Sequence, residues 1–167
     1  MPEAAYDPVL WSTFFSAQTS ASASLTGLVF VAISINLGQI IALGNLVARA
    51  AKALLPLLGT LIASTLCLVP GQPIALLGVE LMVLGALVWI TTMLAHRAAE
   101  YQNPHVTTAA RISHRVLTQG CSVPWMVCGV SLLLSRGGGL YWLVPGIVFS
   151  FVGAVADAWV LLIEIRR

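Results

Sequence analysis

Charge is what this chain has least of. Asp, Glu, Lys and Arg make up 8% of its 167 residues, against 59% hydrophobic residues. A soluble domain carries about 25% charged residues. The deficit, with a mean hydropathy of +0.95, excludes an ordinary soluble domain and places the chain in the membrane class. The net charge is only +2, and no basic run is present, which excludes nucleic acid as a partner. Cysteine is scarce too. Cys67, Cys121 and Cys128 all lie in apolar segments, an odd set without a C-x-x-C spacing, and so no disulfide framework is expected. The opening MPEAAYDPVLW lacks Lys and Arg and thus has no basic n-region of a secretory signal. The first hydrophobic segment is therefore expected to stay in the mature protein.

Small residues dominate one stretch. Ten of the twelve residues of Ser16–Gly27 are Ala, Ser, Thr or Gly. Trp11, Phe14 and Phe15 precede it and LVFVAISINL follows. Such a segment is a poor lipid-facing surface. It suits a helix pressed against other helices, or one lining a polar path.

The first span is expected at about 9–37. Asp7-Pro8 supplies a capping side chain and a proline at the first helical position. A helix of roughly 30 residues is about 45 Å long, more than the roughly 30 Å of hydrocarbon, so it must tilt, bend or protrude. Trp11 and Phe14 would mark one interface. Further spans are expected at 53–69, 74–95, 116–135 and 140–163. The tight turn Pro70-Gly71-Gln72-Pro73 joins the second and third, and Arg136-Gly137-Gly138-Gly139 the fourth and fifth. Asn103-Pro104 is a second cap-plus-proline start, from which a helix can run through Arg111, His114 and Arg115 into the fourth span. Pro56, Pro124 and Pro145 would kink or shape the bundle.

The expected fold is thus all-α: one integral membrane domain, 1–167, of five transmembrane helices in the plasma membrane. Connections 38–52 and 96–115 and the C-terminus carry Arg49, Lys52, Arg97, Arg111, Arg115, Arg166 and Arg167. The opposite side carries only Arg136. This seven-to-one bias puts the N-terminus outside and the C-terminus and both connections in the cytoplasm. Five spans do not divide into two inverted halves, which counts against a single-chain transporter.

Ser16, Ser20 and Ser24 recur every four residues and share a helix face. Two readings stand. The face packs against another helix, within the chain or between subunits, or Ser16, Thr19, Ser20, Ser24 and Ser34 line a pore. Both hold if the first helix surrounds an oligomer axis. Gln18 needs a partner across an interface or in water. Glu80 and Asp157 are intramembrane acids, costly in lipid and by default functional. Glu80 is either a pathway site or a near-interface residue. Asp157 has a structural ion pair or hydrogen bond as its plainer reading. His96, Glu100, His105 and His114 fit no metal-binding spacing and read as a solvated face, with pH sensing as the sharper alternative. Cys121 and Cys128, seven apart, read as small core residues. Gly137–Gly139 is no phosphate loop, for it lacks the lysine and the strand–helix context. No nucleophile–base or metal constellation emerges, so neither an enzyme nor a cofactor is expected.

The aromatic residues, the Ser/Ala/Thr-rich run and LTGLVFVAISINL resemble a group of uncharacterised small multi-pass membrane proteins of high-GC bacteria. Residues 11–37 carry the likeness. Some members are labelled modulators of a membrane protease, which would imply a regulatory partner rather than an active site. The leading expectation is a homo-oligomeric channel or pore-like protein for small ions. The alternative is an accessory membrane protein that acts through a membrane-protein partner.

Overall fold

The computed structural model describes residues 3–42, 45–102 and 108–165. All regular structure among them is helical, and no strand is present there. A 3₁₀ turn at Glu3–Ala5 leads to a second at Pro8–Trp11. Asp7 caps the second turn, its Oδ1 accepting the Val9 N–H at 3.0 Å. Then α1 (Ser12–Ile35) begins. The expected start at Asp7-Pro8 is therefore present, but its first turn is 3₁₀ rather than α. The helix also ends early. Asn36 leaves the helical conformation, at φ −104° and ψ 13°, and its Nδ2 donates to the Ala32 carbonyl at 2.8 Å. With 24 residues, α1 is about 36 Å long at 1.5 Å per residue.

The expected connection at 38–52 is mostly helix. Leu37–Ala42 forms α2 and Asn45–Leu66 forms α3. Arg49 and Lys52 therefore lie on α3. The 96–115 connection contracts in the same way, because α4 runs Ile74–Gln102 and α5 runs Thr108–Leu134. The Asn103-Pro104 start and His105 lie outside the described residues, as do the side chains of His96, Glu100 and His114. After a 3₁₀ turn at Gly139–Trp142, α6 spans Leu143–Ile165.

Among the described residues, three stretches are long and apolar enough to cross a membrane: Pro8–Ile35, Ile74–Leu94 and Gly139–Trp159. The apolar parts of α3 and α5, Ala53–Leu66 and Gln119–Leu134, are shorter than the roughly 20 residues of a standard span.

Helices α3, α4, α5 and α6 close into a ring, each packed on the next and α6 back on α3. Helix α1 lies outside this ring, mainly along α3. Trp125 fills the centre with no exposed surface. Glycines make room for it. A methyl carbon on Gly59 of α3 would come within 2.7 Å of the indole Cζ3, and one on Gly146 of α6 would strike its Nε1 edge. The crossing of α4 and α5 is equally tight, because a methyl carbon on Gly129 would lie 2.5 Å from the Gly78 carbonyl oxygen. Close backbone approach through small residues is how helices associate where solvent gives them no hydrophobic drive. Pro56 and Pro124 sit inside α3 and α5, whereas Pro145 falls in the first turn of α6, where no helical hydrogen bond is lost.

Outward faces of the ring are apolar. Leu76, Val79, Val83, Leu87, Ile90 and Leu94 form an exposed stripe on α4, and Val148, Val152, Val155 and Trp159 another on α6.

Overpacking of this kind costs about 1–3 kcal/mol, so Gly129→Ala should lower the midpoint of thermal unfolding followed by circular dichroism. Gly27→Ala, at a site with nothing within 4 Å of the added carbon, should not. Equal midpoints for the two variants would refute the close α4–α5 crossing.

Candidate functional site

One end of the bundle gathers three distant parts of the chain. The N-terminal segment meets the Gly137–Gly139 turn, where the Gly138 N–H donates to the Tyr6 hydroxyl at 3.2 Å. All three glycines have positive φ, at 92°, 106° and 51°, in the region that disfavours other residues. A side chain on Gly139 would also strike the Ala5 carbonyl. Ser131 Oγ accepts the Gly139 N–H at 2.8 Å and donates to the Arg136 carbonyl. Trp11 donates its indole N–H to the Ala4 carbonyl at 2.7 Å and meets Tyr141 edge-on at 4.7 Å. Phe14 and Phe15 complete this aromatic group. The α3–α4 turn sits at the same end and shares a cavity wall with Asp7. The N-terminal segment, the Pro70–Pro73 turn and the Gly137–Gly139 turn thus lie at one end of the bundle.

Ser16, Ser20, Ser24 and Ser34 are all exposed on α1, and Thr19 is half-buried beside them. Ser20 Oγ donates to the Ser16 carbonyl at 3.1 Å, and Ser24 Oγ to the Ser20 carbonyl at 2.9 Å. Thr19 donates to Phe15 at 2.9 Å and Ser34 to Phe30 at 2.8 Å. Each hydroxyl proton is thereby spent on its own helix. What remains outward is oxygen lone pairs, so the face presents acceptors rather than donors. Near the aromatic end it forms a shallow groove of about 480 Å³, lined by Ser12, Thr13, Ser16, Ala17, Ser20 and Leu68.

The opposite face of α1 carries polar groups that the Ser16–Ser20–Ser24 spacing does not reveal. Gln18, Ser22 and Thr26 recur every four residues and turn inward, with Ser22 wholly buried. Gln18 Oε1, Ser22 Oγ and Thr26 Oγ1 have no hydrogen-bond partner among the described residues, nor does Ser64 Oγ on α3. The signal for this seam was the Gln18 amide, the one large polar side chain in a run of small residues.

Glu80 is half-buried near the start of α4. It accepts a hydrogen bond from Gln72 Nε2 of the preceding turn. This places Glu80 at the end of the bundle. Asp157 is half-buried on α6, and the two acids lie on different helices. The side chains of Arg49, Lys52, Arg115 and Glu164 lie outside the described residues. Cys67, Cys121 and Cys128 are buried free thiols. Among the described residues no three His, Cys, Asp or Glu side chains converge as a metal site would require.

These features define an all-α protein with helices fit to cross a membrane and a hydroxyl-lined face on the outermost of them. No family model, curated protein or solved structure matches the chain.

Loss of a buried hydrogen-bond partner costs about 1–3 kcal/mol, whereas removing an unpaired polar group is near neutral. Ser131→Ala should therefore destabilise the protein in chemical unfolding, and Ser22→Ala should leave stability unchanged or raise it. A large loss in Ser22→Ala alone would show that Ser22 is paired.

Proposed function

We propose that this protein is an oligomeric, pore-like plasma-membrane protein for small ions, with α1 beside the path. One observation carries the reading. The outward faces of α4 and α6 are apolar, and so is the C-terminal half of α1 with Leu28, Phe30, Val31 and Ile35, but the N-terminal half of α1 exposes Ser12, Thr13, Ser16, Ser20 and Ser24. Lipid suits the apolar surfaces and is a poor partner for the hydroxyl-lined half of α1. Copies of the chain arranged with α1 toward a common axis would remove the hydroxyls from lipid and turn them toward water. Back-bonded serines offer oxygen acceptors that replace part of a cation's hydration shell. The path would favour cations over anions on the same ground.

In this reading all five long helices cross the bilayer, with α3 and α5 completed by their neighbours in the ring. The bundle end holding Asp7, Gly71 and Arg136 faces outward, and the ends rich in Arg and Lys face the cytoplasm. The alternative is a regulatory role, with a different membrane protein covering the α1 face.

Flux through the purified protein in liposomes tests the proposal. The wild type should pass K⁺ or Na⁺ faster than Cl⁻, and Ser20→Leu and Ser24→Leu should each cut cation flux by about tenfold or more, a barrier change of about 1.4 kcal/mol, with assembly intact by size-exclusion chromatography. Normal flux in both assembled variants would remove α1 from the pore wall. No flux in the wild type would leave the regulatory role.

A further inference from the structure

The two faces of α1 use their hydroxyls differently. On the outer face Ser20, Ser24 and Ser34 each donate to the carbonyl one turn back. On the inner face Ser22 and Thr26 have such carbonyls in their own helix as well. Their hydroxyl oxygens, with Gln18 Oε1, nevertheless have no partner among the described residues. They are turned away from the α1 backbone and toward the helix that covers them. That helix is α3, where Ser64 Oγ is unpartnered in its turn. Ser22 has no exposed surface and Ser64 only 1%.

Spacing aligns these groups across the seam. Phe15, Gln18, Ser22, Thr26 and Ile33 share one face of α1. Ile33 packs on the small cluster of Ile40 and Ala50. Ala50, Leu57 and Ser64 recur every seven residues of α3, so the face that meets Ile33 also carries Leu57 and Ser64. The two helices run antiparallel. With Ile33 beside Ala50, Thr26 falls level with Leu57, and Ser64 falls level with the turn that holds Gln18. The other end agrees, for Ser12 and Ser16 share a groove with Leu68. The polar groups of α1 thus occupy about 12 Å of seam, at about 1.5 Å per residue, between Phe15 and Ile33. Neither α1 nor the Ala53–Leu66 part of α3 contains a charged residue. An ion here would have no counter-charge. The ligand that fits is neutral, very small, and both donor and acceptor.

We propose that the α1–α3 seam binds ordered water, a short file of buried molecules bridging Gln18, Ser22 and Thr26 to Ser64. Buried waters typically make about three hydrogen bonds to groups that otherwise have none. Each hydroxyl here offers a donor and acceptor positions, and the amide oxygen a further acceptor. Water relieves part of the cost of burying these groups, at the expense of its own immobilisation. Removing one hydroxyl leaves the water its other partners, in keeping with the small effect expected of Ser22→Ala. The site lies within one protomer, on the face of α1 turned away from the exposed serines. It needs neither an oligomer nor ion flux, and so stands or falls apart from the proposed pore.

Radiolytic hydroxyl labelling of the full-length protein in lipid nanodiscs, read by mass spectrometry, tests the assignment. X-rays split bound water in place, so a buried side chain beside water is oxidised while a dry one is spared. Leu57 and Leu81 are a matched pair, 1% and 0% exposed, with Leu81 in the core of the helix ring. Leu57 should be oxidised about fivefold faster or more, as befits a side chain beside buried water. The double variant Ser22→Ala, Thr26→Val removes two hydroxyls without adding bulk and should bring Leu57 down to the Leu81 rate. Equal rates for the two leucines in the wild type would overturn the proposal, as would an undiminished Leu57 rate in the folded double variant. If circular dichroism shows that the double variant has lost helix, Ser64→Ala decides by the same comparison: a slower Leu57 supports the water file and an unchanged one overturns it.

Discussion

The architecture depends on one indole ring having space at the centre of four helices. Trp125 is wholly buried on α5, and the ring closes only because α3 and α6 present Gly59 and Gly146 at its edges. Inside a bilayer the lipid tails are as apolar as any side chain, so helices gain little by hiding apolar surface and much by fitting closely. A large rigid group set into glycine notches gives that fit. The same device recurs where Gly78 and Gly129 bring the α4 and α5 backbones together. The indole N–H finds no acceptor among the described residues, so shape complementarity rather than hydrogen bonding holds this centre.

Helix α1 obeys a different rule. It contributes Phe15 to the core but otherwise lies against α3, with hydroxyls on both its faces. The outer ones are satisfied by carbonyls one turn back. The inner ones at Ser22 and Thr26 are not. A helix held by such a polar seam is bound less firmly than the glycine-notched ring beside it, because unpaired buried groups cost free energy that packing must offset.

Much of the helical framework was legible in the residues themselves. Asp7-Pro8 marks a helix start, Pro70-Gly71-Gln72-Pro73 a reversal and Gly137–Gly139 a turn, and each does what its backbone chemistry dictates. The boundaries were less legible. Residues 37–42 are short and broken by glycine, which hid α2. Arg49 and Lys52 suggested a connection, but long basic side chains are compatible with a helix that continues past the apolar zone. Serine spacing showed that Ser16, Ser20 and Ser24 share a face. It could not say whether that face points in or out, because Gln18, Ser22 and Thr26 repeat with the same period on the other side. Burial decides between them, and burial is a property of the neighbours. The cavity beside Asp7 was illegible for the same reason, being made by segments about sixty residues apart.

The union of Tyr6 with Gly138 spans 132 residues of chain. A growing polypeptide emerges from its N-terminus, so α1 is made long before the turn that receives it. Until Gly137–Gly139 exists, the aromatic cluster at Trp11 lacks Tyr141, and the first helix has no latch at that end. Closure of the N-terminal segment therefore waits until the Gly137–Gly139 turn has been made, and a chain truncated before residue 137 would carry its first helix without that anchor. The distance in sequence between latch and keeper makes this single hydrogen bond a contact of high sequence separation, formed only once the chain has been made through α5.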